Sequence, residues 1–424
     1  MRIVRPVVKT VGSIGQGVRD MGRLREVASV LARHGMGMAV HGLSLPGVRS
    51  SDRYESNPQR IVSAIQELGP TFIKLGQILS TRSDVVPPEY IQAFEKLQDD
   101  VDPLDVKDIE AVLDVELMEG WREQVRTFDQ TPLATASIAQ VHQAVLADGK
   151  RVVLKVQRPG IGPIIRSDLH ILRFLVTRAM SSFPEIRNFD PLGVLDEFER
   201  SIIAELDFHL EAKNICRFRR LFEDYPLVRF PETVEEFSSS RVLCMEFLDG
   251  VKIRDAREAG FDMKAVGDRY LRVAYDMLFE HGFFHGDLHP GNVLVMEGGV
   301  LGVLDCGMVG TLTREMKDQI IGITFALRQG DHRTVARLFY QLAIKEERVD
   351  YGAFERDAIE VMERHWQLDS ISDMNLGAFF MDIAQRAVRH QVRASPAFTM
   401  MYKGMITTEG LAKSLIHEVD PLEA

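Results

Sequence analysis

The stretch FFHGDLHPGN, Phe283 to Asn292, places two histidines, an aspartate and an asparagine within ten positions. Together with His281, its histidines recur every fourth residue, a spacing that suits metal-binding side chains on one helix. Gly282, Gly286 and Pro290 interrupt the run, and proline breaks a helix, so a single regular helix is not expected here. No HExxH pattern accompanies the histidines. The sequence therefore disfavours metal binding by these histidines.

The same stretch has the spacing of a phosphoryl-transfer loop. His285-Gly286-Asp287, four further residues and Asn292 match the kinase pattern HRDxxxxN. Asp305-Cys306-Gly307 follows where a kinase carries its magnesium-binding Asp-Phe-Gly. We therefore predict that Asn292 and Asp305 bind Mg²⁺ or Mn²⁺, and that Asp287 is the catalytic carboxylate that orients or deprotonates the attacking hydroxyl or water. The alternative is that Asp287 caps a turn and Asn292 is an ordinary turn residue.

Lys155 lies in the apolar stretch VVLKVQRPG, where an unpaired ammonium group would be costly. A strand lysine that binds the α- and β-phosphates of ATP and pairs with a helix glutamate avoids that cost. Glu205 and Glu211 are the candidate partners. On one continuous helix they would lie about 120° apart, so only one of them is expected to face Lys155. The alternative is a surface lysine whose ammonium reaches solvent.

The position just before the lysine strand lacks the glycine-rich loop of ordinary kinases and reads PLATASIAQVHQA instead. Its small residues Ala134, Ala136 and Ser137 are predicted to let the backbone approach a nucleotide, although they are stiffer than glycine. GSIGQG, residues 12–17, lies too far upstream to serve as this loop. Glu246 and Leu248 complete the predicted nucleotide-binding residues; they lie in RVLCMEFLDG, which is predicted to be a buried strand running into a connector.

The elements around these motifs predict an α+β, protein-kinase-like bilobal fold with an added N-terminal helical extension. Asp148-Gly149 is a two-residue hairpin signal before the lysine strand, and a second hairpin is predicted to turn at residues 297–299. Helical stretches are predicted at about 162–181 and 191–222. The predicted domains are a basic amphipathic segment at 1–50, a helical extension at 51–122, a β-sheet N-lobe at 123–248 and a helical C-lobe at 249–424.

Charge and composition limit the possible partners and locations. The net charge of −11 argues against a nucleic-acid partner. Residues 1–50 nevertheless carry eight basic and two acidic side chains, so this segment is predicted either to bind an anionic membrane surface or to pack as an ordinary amphipathic helix. We expect neither a transmembrane segment nor a signal peptide. The three cysteines form no CxxC motif. A cytoplasmic protein, peripheral on the inner membrane face, is predicted.

These motifs, together with LGPTFIKLGQILSTRSDVVPPEYIQAFEKLQDD at residues 68–100, resemble the UbiB/AarF family of atypical kinase-like proteins. The KxGQ element is Lys74 to Gln77, the alanine-rich loop is Ala134 to Val141, and the ExD element is Glu205 to Asp207. The resemblance implies that the KxGQ helix fills the place of a protein substrate, so that Lys74 and Gln77 control the catalytic site. Cys306 departs from the family pattern, which has phenylalanine there, and Thr135 interrupts the alanine run.

The function that the resemblance implies is an ATP- and magnesium-dependent atypical kinase or ATPase supporting ubiquinone biosynthesis at a membrane. Its implied partners are ATP, a quinone-like lipid or isoprenoid precursor, the membrane surface and quinone biosynthesis enzymes. One alternative is a small-molecule phosphotransferase of the aminoglycoside or choline kinase type, which the KxGQ and alanine-rich elements disfavour. Another is a non-catalytic nucleotide-binding scaffold for the biosynthetic enzymes, which requires the same binding residues.

Overall fold

A computed structural model describes most of the chain. The described residues are 20–34, 57–80, 86–94, 96–97, 101–183, 186, 190–345, 349–366 and 376–415. Of the predicted basic segment at 1–50, only residues 20–34 are described, and the GSIGQG stretch at 12–17 lies outside the described residues.

Fourteen α-helices lie in the described residues, and none of these is long and apolar enough to cross a membrane. Their bounds are α1 at 20–33, α2 at Pro58–Leu68, α3 at Pro70–Leu79, α4 at Pro88–Phe94, α5 at Val106–Glu116, α6 at Ile161–Ser182, α7 at Pro191–Glu205, α8 at Phe208–Leu221, α9 at Met263–Tyr275, α10 at Arg314–Arg328, α11 at His332–Leu342, α12 at Tyr351–Trp366, α13 at Leu376–Val388 and α14 at Pro396–Leu415.

The described residues also form four β-sheets. The strands are β1 at Val125–Phe128, β2 at Ala134–Thr135, β3 at Ala139–Leu146, β4 at Arg151–Gln157, β5 at Val228–Arg229, β6 at Val242–Glu246, β7 at Val251–Lys252, β8 at Phe283–His285, β9 at Val293–Val295, β10 at Leu301–Val303, β11 at Val309–Thr311, β12 at Ile344–Lys345 and β13 at Val392–Arg393. The largest has the order β1-β3-β4-β6 with β2 beside β3. The others are β5-β10-β9-β7, β8-β11 and β12-β13.

The chain forms two compact units. The first unit takes Met1–Glu123, Thr127–Ala144 and Leu154–Leu206, and the second takes Gln124–Arg126, Val145–Val153 and Asp207–Ala424. The boundary between them therefore runs through β1, β3 and β4. The predicted domain bounds remain a prediction.

Local signals in the sequence explain where several elements begin and end. The Asn57 side chain accepts a hydrogen bond from Gln59 N and caps α2, which starts at Pro58. Gly69 ends α2 with a φ of 93°, a conformation that favours glycine. The predicted hairpin between β3 and β4 is confirmed, since Gly149 has a φ of 90° and the Asp148 side chain accepts from Lys150 N at 2.9 Å.

The second predicted helical stretch, at 191–222, is not continuous. α7 ends at Glu205, and α8 starts at Phe208. The break arises because Asp207 takes an extended conformation, with a φ of −118°, and its carboxylate caps α8 by accepting from His209 N. The expected angular separation of Glu205 and Glu211 on one helix therefore does not apply.

Part of the basic N-terminal segment packs as a structural element of the first unit. Val27 and Val30 of α1 are buried in one apolar cluster with residues of α2, α3, α6 and α7. Arg23 donates to both carboxylate oxygens of Asp168 in α6 and to Leu68 O. The apolar face of α1 is thus occupied by protein, and any membrane contact would fall to other residues of the segment.

Candidate active site

His285 connects the two loops that carry the predicted catalytic and metal-binding aspartates. It ends β8 and is buried, opposite Val309 of β11. Its Nδ1 accepts a hydrogen bond from Asp287 N at 3.0 Å, so the other ring nitrogen carries the proton and donates to the carbonyl oxygen of Asp305. Burial lowers the pKa of His285, although the Asp305 carbonyl opposes this effect. A neutral imidazole therefore positions both loops.

The backbone of the catalytic loop is held on both sides of Asp287. Gly286 N donates to Met308 O at 2.9 Å, which continues the pairing of β8 with β11. The buried Tyr270 of α9 donates its hydroxyl to the carbonyl oxygen of Leu288. Asp287 itself is half-buried, and its Oδ1 lies 3.9 Å from Lys403 Nζ of α14. The predicted catalytic carboxylate is thus presented from a fixed backbone beside a cation.

The predicted metal ligands Asn292 and Asp305 lie at the same end of the β9–β10 hairpin. Val293 pairs with Val303, and the next ladder bond joins Leu304 N to Asn292 O at 3.0 Å. Asp305 Oδ1 accepts from Gly307 N at 2.8 Å, which fixes the orientation of that carboxylate. Both residues are half-buried.

This pair of hard oxygen donors fits Mg²⁺, which binds one or two carboxylates and completes its coordination with water and substrate phosphates. Within the described ranges, no group of three or more histidine, cysteine, aspartate or glutamate side chains is arranged to hold a metal ion. The other histidines of the opening stretch have local partners. His289 Nδ1 accepts from Gly291 N at 3.0 Å, and His281 packs edge-on against Phe222.

Helix α8 contacts the Asp-Cys-Gly segment directly. Asn214 Nδ2 donates to the carbonyl oxygen of Cys306 at 2.9 Å. Three residues earlier on the same helix, the carboxylate of Glu211 is buried, and a Cβ at Gly307 would lie 4.0 Å from its Oε2. Cys306 is fully buried and stands where the kinase Asp-Phe-Gly pattern has phenylalanine. Asn214 was not identified from the sequence, because an asparagine on an amphipathic helix carries no distinctive signal.

Lys74 of the KxGQ element and Glu205 of the ExD element meet inside the first unit. Lys74 Nζ in α3 lies 3.0 Å from Glu205 Oε1 at the end of α7, and both side chains are mostly shielded from solvent. Gln77 Nε2 donates to Leu97 O at 3.3 Å. A Cβ at Gly76 would overlap the Leu97 side chain, which explains why a glycine precedes Gln77. The structure thus gives Glu205 a lysine partner other than Lys155, and the partner of Lys155 stays a prediction.

The alanine-rich loop forms a tight turn between β2 and β3. Ala134 pairs with Val141, and Ala136 N donates to Ala139 O at 2.8 Å. Ser137, in the turn, is buried. Arg158, which sequence reasoning missed, donates from Nε to Ala136 O at 2.9 Å and from Nη2 to Asp102 O at 2.9 Å. The only sequence signal for its role is its place directly after the lysine strand.

The remaining nucleotide-binding candidates lie on β4, at the end of β6 and just after β6. Lys155 is half-buried between the buried Leu154 and Val156. The Glu246 carboxylate pairs with Arg229 and accepts from Glu232 N.

Leu248 is buried, and a Cβ at Gly302 would lie 3.2 Å from its Cδ1. The side chains of Glu246 and Leu248 are therefore engaged within the protein, and nucleotide binding at these positions stays a prediction.

Comparison with known proteins agrees with this geometry. Residues 96–339 match the ABC1 atypical kinase-like domain, and residues 360–420 match the UbiB helical domain. The chain belongs to the ABC1/UbiB family. The resemblance drawn from the sequence motifs is thereby confirmed, as is the α+β, protein-kinase-like bilobal fold.

Several relatives of this ABC1/UbiB chain are similar over most of its length. An uncharacterized protein in the hydrogenase 1 5′ region of Clostridium pasteurianum is 33% identical over 94% of this chain and 74% of its own. A probable protein kinase UbiB of Pseudomonas putida is 34% identical over 86% of this chain and 69% of its own. Among solved structures, Rv3197 of Mycobacterium tuberculosis in complex with erythromycin is 25% identical, with a TM-score of 0.51, covering 83% of this chain and 93% of that one.

Proposed function

We propose that this chain is an ATP- and Mg²⁺-dependent atypical kinase or ATPase that supports ubiquinone biosynthesis at a membrane surface. The observation that carries the proposal is the neutral His285 ring, which joins the backbone of Asp287 to that of Asp305. A catalytic carboxylate and a metal-binding carboxylate held by one buried side chain suit phosphoryl transfer. The quinone context comes from the function that the resemblance to the UbiB/AarF family implies, and two relatives are named probable protein kinase UbiB.

The chemistry assigned to this chain's residues is simple. Asp287 orients a hydroxyl group or water and accepts its proton as that oxygen attacks the γ-phosphorus and the bond to the ADP oxygen breaks. Lys155 binds the α- and β-phosphates, and the turn at Ala134, Ala136 and Ser137 approaches the nucleotide through its backbone. Bound Mg²⁺, which Asn292 and Asp305 would hold, supplies positive charge to the phosphate oxygens.

The KxGQ element is assigned control of the acceptor. Lys74 forms an ion pair with Glu205, and Gln77 donates a hydrogen bond to Leu97 O. Both contacts stabilise one position of α3. A helix fixed in this way supports the expectation that the acceptor is water or a small molecule rather than a protein. We assign a quinone-like lipid or an isoprenoid precursor as the acceptor class, and quinone biosynthesis enzymes as partners.

Nucleotide binding is the first test of the proposal. ATP with Mg²⁺ is expected to raise the melting temperature of the full chain, because a ligand that binds only the folded state stabilises it. Asp305→Asn should abolish that shift, whereas the matched control Asp268→Asn, an exposed residue of α9, should retain it. A wild-type protein that ATP with Mg²⁺ does not stabilise would refute the proposed enzyme.

Turnover is tested separately from binding. In a strain that lacks the gene, the wild-type chain is expected to restore the ubiquinone level, and Asp287→Asn is expected to fail while still binding ATP. Full rescue by Asp287→Asn would instead favour the nucleotide-binding scaffold. Quantification of quinones in lipid extracts gives the readout.

The membrane surface is the third part of the proposal. Because α1 packs inside the first unit, three of the four basic residues before it, Arg2, Arg5 and Lys9, are the ones assigned to anionic lipid. Replacing these three by glutamine should reduce co-sedimentation with anionic vesicles without affecting the α1 contacts. Unchanged co-sedimentation would remove this element of the proposal.

One observation favours a second candidate, a small-molecule phosphotransferase. The similar Mycobacterium tuberculosis protein was solved in complex with erythromycin, a small organic molecule. If this chain transfers phosphate to such compounds, erythromycin should accelerate ADP formation and appear as a phosphorylated product in mass spectra. ADP formation that erythromycin leaves unchanged excludes this compound as the acceptor.

A further inference from the structure

Lys403 is the basic side chain that the structure places beside the catalytic carboxylate. Its Nζ lies 3.9 Å from Asp287 Oδ1, with side-chain exposures of 23% and 35%. Among the described residues, Lys403 is the one that forms an ion pair with Asp287. The lysine comes from α14, more than a hundred residues after the catalytic loop, so motif spacing gives no indication of it.

The backbone of α14 is held against the catalytic loop at this point. A Cβ at Gly404 would lie 3.3 Å from His285 O. A Cβ at Gly286 would lie 2.8 Å from Met400 Sδ, so the glycine that replaces arginine of the kinase HRD pattern allows α14 to approach. Farther along α14, the buried Glu409 accepts from the Tyr275 hydroxyl of α9 at 3.4 Å. The position of Lys403 is therefore set by contacts along the helix.

The separation of 3.9 Å also matters. This distance exceeds the usual 2.7–2.9 Å of a charge-assisted hydrogen bond, so the ammonium attracts the Asp287 carboxylate without a direct hydrogen bond to it. A carboxylate that approaches a transferring phosphoryl group repels its oxygens, and a fixed ammonium beside the carboxylate offsets that repulsion. Lysine suits this role because it presents a compact charge with three donors.

We propose that Lys403 is a positioning residue for phosphoryl transfer, which holds the Asp287 carboxylate in place and balances its charge against the transferring group. This inference rests on the proposed function. It also assigns a role to the UbiB helical domain, since Lys403 lies within its match at 360–420 while Asp287 lies within the kinase-like match at 96–339. The catalytic loop of the second unit is thus completed by the helical domain.

The test compares Lys403→Met and Lys403→Arg in the full chain, with Lys413→Met, an exposed lysine of the same helix, as the matched control. Lys403→Met should lower kcat for ADP formation on the order of 10- to 100-fold while KM for ATP changes less than about threefold. Lys403→Arg should recover most of the loss, and the control should match wild type. An unchanged kcat, or a loss confined to KM, would overturn the assignment.

A binding measurement covers the case of slow turnover. ADP with aluminium fluoride and Mg²⁺ imitates the transferring phosphoryl group, and Lys403→Met should bind it about tenfold more weakly than wild type. Binding of ADP with Mg²⁺ alone should stay the same. Equal affinity of both proteins for the fluoride complex would overturn the role of Lys403 alone, whereas a wild type that binds no nucleotide would refute the proposed function itself.

Discussion

Replacing His285 by glutamine should change how the stability of this chain depends on pH. Burial lowers the pKa of His285, so the folded protein keeps the ring neutral at pH values where an exposed histidine takes up a proton. A proton on Nδ1 would also replace the acceptor that faces Asp287 N by a second donor. Glutamine offers an oxygen acceptor and an N–H donor but does not titrate in this range.

The magnitude follows from proton linkage. The unfolded ring has a pKa of about 6.5, so below that pH unfolding takes up one proton that the folded ring excludes. The stability contributed by His285 is complete above this value and decreases as the pH falls toward the lowered pKa of the folded state. The slope is at most about 1.4 kcal/mol per pH unit, hence no more than about 2 kcal/mol between pH 7.5 and pH 5.

The assay is urea unfolding of wild type and His285→Gln at several pH values, followed by circular dichroism. The wild type should be the more stable protein at pH 7.5, and its advantage should shrink as the pH is lowered. A stability difference that stays constant from pH 7.5 to pH 5 would refute the reasoning, since it would mean that the ring is protonated equally in both states.

Three further substitutions test contacts elsewhere in the chain through their urea midpoints. Lys74→Met should cost about 1–3 kcal/mol, because a largely shielded Glu205 loses the ion pair at 3.0 Å. Arg23→Met should cost more, about 3–5 kcal/mol, because the side chain of Asp168 is 1% exposed and would lose its guanidinium partner. Gly310→Ala should cost about 1–3 kcal/mol, because the added methyl would overlap a phenylalanine ring of the paired strand β8.

Second variants serve as controls. Adding Asp168→Leu to Arg23→Met should recover part of the loss by removing the buried carboxylate left behind. Gly410→Ala in α14, where a Cβ would meet nothing within 4 Å, should instead stabilise by about 0.5–1 kcal/mol. A double variant no more stable than its single parent, or equal effects of the two glycine substitutions, would contradict these assignments.

Much of the fold follows from signals that act over a few residues. Asp148 with Gly149 predicts a hairpin that the structure confirms, and Asn57 with Pro58 explains where α2 begins. The spacing from His285 to Asp305 likewise identifies loops that the structure brings together.

Other features depend on residues far apart in sequence, and local patterns do not contain them. Asn214 contacts Cys306, 92 positions away, and Lys403 contacts Asp287, more than a hundred positions away. The break between α7 and α8 was also not predicted, because Asp207 lies within a stretch whose apolar spacing is typical of one helix. Such residues acquire their roles only when tertiary packing selects one partner for each of them.

The boundary that passes through β1, β3 and β4 has a practical consequence for work with shortened versions of this protein. Because the second unit draws Gln124–Arg126 and Val145–Val153 from within the range of the first, no single cut separates the two. A recombinant fragment that begins at Asp207 would lack strand residues on which its own sheet depends, with edges left open to aggregation. Complementation and purification are therefore best planned around the whole polypeptide, with point substitutions in place of deletions.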